Sequence, residues 1–206
     1  MPETRTIPLH IPEANPAWKL LLQSGVGIAC TVGIPFMALL RDELGLDDAM
    51  LRPVDALLLD GMPVDEPETA IVPDGARIAL AAGLPGIAGL AMKSGSAVRA
   101  LRSGITHTGG EAPRPRPGAV ILSLYSLVLP LLGGHILQRG VMITPSQLAR
   151  YARFAPDDRA ELGCLADYTG HTGCAGRVLS MPELEQTLAA MPENTVFLFT
   201  AILCHE

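Results

Sequence analysis

Two Asp-Gly pairs, Asp60-Gly61 and Asp74-Gly75, stand between short apolar runs in the first half of the chain and most constrain its fold. Asp and Gly tolerate the positive φ angles of tight turns, so each pair marks a sharp reversal between two strands. Pro73 before the second pair strengthens this signal. We therefore expect extended segments at Val54–Leu59, Val64-Asp65, Thr69–Val72 and Arg77–Leu80, with the two Asp-Gly turns after the first and the third.

An amphipathic segment, Pro35–Leu44, precedes these strands and predicts a single helix. Pro35 suits the first helical position, because its fixed φ is already helical. Gly45 is expected to adopt a left-handed conformation that ends the helix, with Leu46 folding back on the last turn. Three- and four-residue spacing places four apolar side chains on one stripe: Phe36, Leu39, Leu40 and Leu44.

Three apolar runs stand before the helix. Arg5–Ile11 alternates in the manner of a strand and is followed by Pro12. Trp18–Gln23 and Ile28–Val32 are joined by Ser24–Gly27, whose two glycines fit a hairpin turn. We expect these two runs to form the first hairpin of a sheet.

The resulting order of strand, turn, strand, helix, strand, turn and strand resembles a β-grasp domain. Leu57–Val64 is similar to the segment of small ubiquitin-like sulfur carriers in which an apolar strand runs into Asn/Asp-Gly and then Pro or Val. Ala70–Leu80 is similar to their last strand, and Ile34–Leu46 to their single helix. The resemblance covers about residues 17–86 and implies a β-grasp-like mixed sheet with one helix.

The carriers that this region resembles serve thiamine and molybdopterin biosynthesis, and they act through a flexible Gly-Gly terminus whose carboxylate is adenylated and thiolated. Here Gly109-Gly110 is followed by Glu111, and the chain continues to Glu206. One function that the resemblance implies is therefore a carrier precursor cleaved after Gly110. The function that we favour is a non-catalytic binding or scaffold module, because a shared fold does not carry the chemistry with it.

A Pro- and Gly-rich segment, Thr108–Gly118, separates the two halves of the chain. Its alternating Arg and Pro residues disfavour helix and sheet alike and favour an extended linker. We expect a β-grasp-like domain with an apolar extension at residues 1–107, a linker at 108–117, and a small α/β domain at 118–206. The predicted fold class is α+β.

The second half contains two apolar runs typical of buried strands, Val120–Leu127 and Thr195–Cys204. Thr144 before Pro145 marks a helix start, because its hydroxyl can cap the first-turn amides. Ser180-Met-Pro-Glu183 has the form of a capping box. The predicted helices are Leu131–Leu137, Pro145–Phe154 and a third that runs to about Met191.

The uncharged run Pro117–Gln138 approaches the length of a membrane span. Pro130, Gly133 and Gly134 dilute its second half, and arginines lie on both sides of it. A strand leading into a short buried helix explains the run better. The N-terminus lacks a basic start followed by an apolar stretch, so we expect a cytoplasmic protein without a membrane span.

Charge and aromatic content argue against nucleic-acid binding. The chain has 15 basic against 21 acidic residues and only 4% aromatic residues, whereas nucleic-acid binding needs clustered cations and stacking rings. Hydrophobic residues make up 49% of the chain, with apolar stretches at Ala82–Met92 and Leu127–Leu137. Soluble monomers rarely expose patches of this size. We therefore expect a protein partner or self-association as a homo-oligomer.

One constellation of residues suits a metal ion. Cys164, His171 and Cys174 stand in a glycine-rich loop, and Cys204 stands near the C-terminus. Thiolates and imidazoles are ligands of zinc and iron, so these four residues form the predicted metal site. One alternative is that the cysteines are small buried residues and His171 a surface residue. Another is that the protein bears a redox-active or reactive thiol at these positions. Nucleophile-elbow, phosphate-loop and His-Glu-x-x-His motifs are absent from the sequence, which predicts no catalytic residues.

Overall fold

The structure is a computed structural model, and it describes residues 4–12, 17–82, 114–154, 181–191 and 195–204. It shows an α+β fold with mixed β-sheet, which confirms the predicted class. The strands are β1 Thr4–Pro12, β2 Val26–Val32, β3 Ile34–Pro35, β4 Ala56–Leu59, β5 Met62–Pro63, β6 Ile71–Val72, β7 Arg77–Ala82, β8 Arg116–Ser126, β9 Val141–Ile143 and β10 Val196–Cys204. The helices are α1 Ala17–Ser24, α2 Phe36–Ala38 with its π-helical continuation Leu39–Glu43, α3 Asp48–Leu51, α4 Val128–Arg139, α5 Pro145–Phe154 and α6 Met181–Ala189.

The chain forms two compact units. The central unit comprises Leu22–Ile136, and the terminal unit comprises Met1–Leu21 together with Leu137–Glu206. This division differs from the predicted linker at 108–117 and second domain at 118–206. β8 begins at Arg116, inside the predicted linker, because the extended conformation that Arg-Pro favours is also compatible with a strand.

The sheet of the central unit has the strand order β2-β8-β7-β4-β5. β8 lies inside this sheet, where it pairs antiparallel with β2 over seven residues and parallel with β7 over six. β4 pairs antiparallel with both β7 and β5. A separate antiparallel pair joins β3 and β6. A strand from the second half of the chain is therefore an inner strand of the sheet built by the first half.

Both predicted Asp-Gly turns are confirmed. Asp60 and Gly61 have φ angles of 50° and 80° between β4 and β5, which suits a tight hairpin turn. Gly75 has a φ of 74° in the turn before β7. The Asp60 carboxylate accepts a hydrogen bond from the Arg77 amide at 2.8 Å. This bond ties the first turn to the neighbouring strand.

The predicted amphipathic helix is confirmed as α2, but its predicted start is wrong: Pro35 pairs with Ile71 in β3, and the helix begins at Phe36. All four residues of its apolar stripe are buried, and the helix contacts β2. Gly45 has a φ of 68°, and the amide of Leu46 donates to the Leu40 carbonyl at 3.0 Å, so the helix ends as predicted. Nε2 of His135 on α4 lies 2.9 Å from the Leu44 carbonyl oxygen. The end of α2 is thereby linked to α4.

The predicted hairpin of Trp18–Gln23 with Ile28–Val32 is wrong in its first arm, which is helix α1. The reason is the spacing of its apolar residues, which fits one face of a helix rather than the alternation of a strand. Gly25, with a φ of 90°, follows the end of this helix. The buried residues of α1 are Ala17, Trp18, Leu21 and Leu22.

The uncharged run divides into β8 and α4, as expected. Ser126, with a φ of 53°, lies at the end of β8, and α4 ends before Gly140, with a φ of 94°. α4 has twelve residues and extends beyond the predicted Leu131–Leu137 at both ends. Among the described residues, no helix is long and apolar enough to cross a membrane.

The terminal unit contains strands in the order β1-β10-β9. β1 and β10 pair in parallel over nine residues, and β9, a three-residue strand that was not predicted, pairs antiparallel with β10. The rings of Tyr151 on α5 and Phe199 on β10 pack edge to face, with their centroids 5.4 Å apart. The predicted start of α5 is confirmed, because Oγ1 of Thr144 accepts from the Gln147 amide at 3.3 Å.

Candidate functional site

The two faces of the central sheet differ in burial. One face, which we call the core face, carries large apolar side chains that are at most 8% exposed. Directly paired residues point to the same face of a sheet, so the strand registers assign each residue to a face. The core face comprises Val26, Ile28, Cys30, Val32, Leu57, Leu59, Ile78, Leu80, Val120, Leu122 and Leu124.

The opposite face, which we call the outer face, remains accessible. Ala29, Arg77 and Pro117 are exposed, and the other members are partly exposed. The register aligns them in rows, for example Ser123 with Ala79 and Ala79 with Leu58. The outer face comprises Gly27, Ala29, Thr31, Leu58, Arg77, Ala79, Pro117, Ala119, Ile121 and Ser123.

The chemistry of the outer face is unusual for a surface in water. A solvated sheet face normally carries polar side chains opposite an apolar core face. Here Arg77 is the single charged member, and Thr31 and Ser123 supply the hydroxyls. The rest are glycine, proline or apolar, with Ile121 and Leu58 as the largest. An accessible and nearly uncharged face of this kind is suited to contact with another macromolecule.

The outer face has a defined limit along the strands. In the next row Ala81 and Ala56 are buried, so on β7 and β4 the accessible area ends beside Ser123, whereas Tyr125 of β8 in that same row stays accessible. Tyr125 follows on β8 and is 40% exposed. Its ring therefore stands at one end of the surface, and aromatic rings of this kind are enriched in protein interfaces.

Asp74 holds the start of β8 against the turn before β7. Its Oδ1 accepts from the Ala119 amide at 3.0 Å, and its Oδ2 pairs with Nη2 of Arg116 at 3.0 Å. The Ala119 hydrogen bond, followed by that of Arg116, lowers the pKa of the Asp74 carboxyl, and desolvation opposes this only in part. The charged carboxylate therefore stabilises the position of Ala119 on the outer face.

The predicted metal ligands are not brought together by the residues that the structure describes. Cys164, His171 and Cys174 lie outside the described ranges. Cys204 is the last residue of β10, where its backbone pairs with that of Pro12. Within the described ranges, no three His, Cys, Asp or Glu side chains form a group that could hold a metal ion. The site at these four residues stays a prediction.

Sequence reasoning missed the outer face. The sequence signal was weak, because only Gly27 and Ala29 alternate with a larger residue, Ile28, and Ile121 interrupts any such alternation between Ala119 and Ser123. Alternation shows that a strand has two unlike faces. It does not show which strands lie side by side, and the accessible surface exists only because β8 lies between β2 and β7.

Comparisons with known proteins return no relative. No family model, no curated protein and no solved structure matches this chain.

Proposed function

We propose that this protein is a non-catalytic binding or scaffold module that uses the outer face of its central sheet as the binding surface. The observation that carries the proposal is the combination of accessibility and near absence of charge on that face. Glycine, alanine, serine and threonine side chains lose little conformational entropy when a partner covers them. The loss of side-chain conformational entropy therefore opposes binding to this face only weakly.

The strand order supports the β-grasp interpretation in a rearranged form. In a β-grasp, the first two strands form an antiparallel pair, a helix follows, and the last strand joins the first in parallel. Here β2 pairs antiparallel with β8, α2 follows β2, and β7 pairs parallel with β8. We propose that β8 takes the place of the first strand although it follows β7 in the chain, which is a circular permutation of the fold.

The same topology weighs against the sulfur-carrier precursor. Cleavage after Gly110 would leave β8 on the other fragment, although β8 supplies an inner strand of the sheet. A released carrier of residues 1–110 would expose the unpaired edges of β2 and β7, which favours aggregation over free diffusion. Intact-mass measurement on protein from native cells tests this alternative, which requires a species that ends at Gly110.

The metal-bearing alternative rests on the sequence motif alone. Metal analysis of protein purified without a histidine tag tests it directly. Stoichiometric zinc or iron that is lost in Cys174→Ser would support a metal site, and a metal-free protein would remove that support.

The binding function is tested by placing a charge on the outer face. Ala29→Glu changes an exposed strand residue, and Ala49→Glu makes the same change at an exposed position of α3. Tagged wild-type and variant proteins are recovered from native cells, and the co-purifying proteins are quantified by mass spectrometry. We expect Ala29→Glu to lose a partner that Ala49→Glu retains, because burying an unpaired carboxylate is costly.

A second copy of the chain is one form that this partner can take. Light scattering over a concentration series detects it as a rise in mass that Ala29→Glu abolishes. The proposal fails if both variants and the wild type recover the same proteins and all three remain monomeric at every concentration.

A further inference from the structure

A groove between α5 and α6 in the terminal unit has the size of a ligand site. Its volume is about 440 Å³, within the range of about 300–1,000 Å³ that is usual for small-molecule pockets. Apolar side chains form most of its wall, and three residues contribute polar groups. The lining residues are Thr144, Pro145, Ser146, Ala149, Glu185, Leu188, Ala189 and Met191.

Among the polar groups of the groove, the Glu185 carboxylate only accepts hydrogen bonds, whereas the hydroxyls of Thr144 and Ser146 can both donate and accept. Glu185 is the single charged residue among those eight. Among the residues that the structure describes, Arg153 is the hydrogen-bond partner of the Glu185 carboxylate. Its Nε and Nη2 each lie 2.7 Å from Oε1 of Glu185. Oε2 can therefore accept a hydrogen bond from a ligand. Oγ of Ser146 lies 2.9 Å from Oγ1 of Thr144, and Thr144 in turn caps the Gln147 amide.

We propose that this groove binds a small organic cation that carries an ammonium group on an apolar body. The apolar body would contact Ala149, Leu188 and Met191, and the ammonium would donate to the Glu185 carboxylate. Hydrogen bonds between two charged groups are stronger than those between neutral ones. The ligand is therefore selected by both its apolar surface and its charge.

The ion pair with Arg153 does not prevent this binding. The Arg153 side chain is 64% exposed and that of Glu185 38% exposed, and ion pairs of such exposure contribute little to stability. An ammonium in the groove can share the carboxylate with Arg153 through Oε2. The site is independent of the outer face, because every residue in the argument lies in the terminal unit.

The test uses two probes of equal size that differ in charge. Phenethylamine is cationic near neutral pH, whereas phenethyl alcohol is neutral. Methyl-labelled protein is titrated with each, and the NMR shifts of Ala149 and Ala189 are followed. We expect saturable shifts with the amine at a dissociation constant of about 1 mM, typical for so small a ligand. The alcohol should bind about two- to fivefold more weakly, because it lacks the ion pair with the partly exposed Glu185 carboxylate.

Variants separate the charge from the shape of the groove. Glu185→Gln should make the two probes bind equally weakly, and Ala149→Leu should abolish the shift of the remaining reporter, Ala189, for both probes by filling the cavity. Glu183→Gln is the matched control, because it lies on the same helix outside the lining and should keep the preference for the amine. Equal binding of both probes to the wild type, or a preference that survives Glu185→Gln, would overturn the proposal.

Discussion

The core face and the outer face of the central sheet are made by neighbouring residues of the same strands, yet they obey different constraints. Leu122 on β8 is fully buried, whereas the next residue, Ser123, is partly exposed. The core face needs large apolar side chains, because its stability comes from excluding water and filling space. The outer face consists mostly of small residues, so it can be covered without rearrangement.

The core-face residues of each strand stabilise the fold, and the outer-face residues of the same strands remain accessible to a partner. Ile78 and Leu122 contribute to the core from one row, and Val120 contributes from the next row. Ala79, Ala119 and Ser123 alternate with them and contribute little apolar area to that core. Stability and binding are therefore expected to respond to different residues of the same two strands.

The largest effect is expected for Leu122→Ala on the core face. Removing a fully buried leucine side chain leaves a cavity and should lower the free energy of unfolding by about 2–5 kcal/mol. Urea denaturation followed by circular dichroism measures the change. A loss below about 1 kcal/mol, the level of an ordinary substitution, would show that the two faces do not differ in the way that their burial indicates.

Gly118→Ala should have the next largest effect on stability, because Gly118, near the start of β8, is closely packed against Asp74 and Val32. A Cβ at this position would lie 2.6 Å from Oδ1 of Asp74 and 2.7 Å from Cγ2 of Val32. Relief of this clash requires movement of the strand or of the Asp74 turn, with an expected cost of about 1–3 kcal/mol. Thermal unfolding measures it, and an unchanged midpoint would mean that the start of β8 can shift without loss.

Asp74→Asn should alter the pH dependence of stability. Folding lowers the pKa of Asp74, so its carboxylate stabilises the folded state above the unfolded pKa of about 3.9. This contribution is lost as the pH falls from that value through the lower pKa of the folded state. The variant should therefore be less stable than wild type at neutral pH, with a difference that narrows in acid.

Denaturant unfolding at a series of pH values measures this difference. Arg116→Gln should change the pH dependence in the same direction but less, because the Ala119 hydrogen bond remains. A constant difference between wild type and Asp74→Asn at every pH would contradict the assignment of the pKa shift to these contacts.

The smallest effect is expected for Ser123→Ala on the outer face. This substitution leaves the core face unchanged, and the free energy of unfolding should move by no more than about 0.5 kcal/mol. The difference between its free energy of unfolding and that of Leu122→Ala, measured under the same conditions, shows how much more the core face contributes to stability than the outer face. A loss comparable with that of Leu122→Ala would mean that the outer face is covered in the folded chain and is not a binding surface.

Local signals predicted much of the secondary structure. The apolar stripe of α2, the left-handed Gly45 that follows it and the cap at Thr144 each depend on contacts within a few residues. The glycines after Trp18–Gln23 favour a hairpin and so predict a strand there, whereas the spacing of its apolar residues fits the helix that it forms. The site could be predicted less well, because residues of the outer face come from segments far apart in the chain.

The sequence alone determined the turns, the helix caps and the apolar periodicity. These features depend on the allowed φ angles and on the hydrogen bonds at helix ends, which involve only neighbouring residues. The tertiary structure decided that β8 lies between β2 and β7, although 83 residues, 33–115, separate β2 from β8. Backbone pairing is nearly independent of side-chain identity, so many strand orders satisfy the same local pattern. Only the packing of the whole core selects one of them, and with it the side chains that form the outer face.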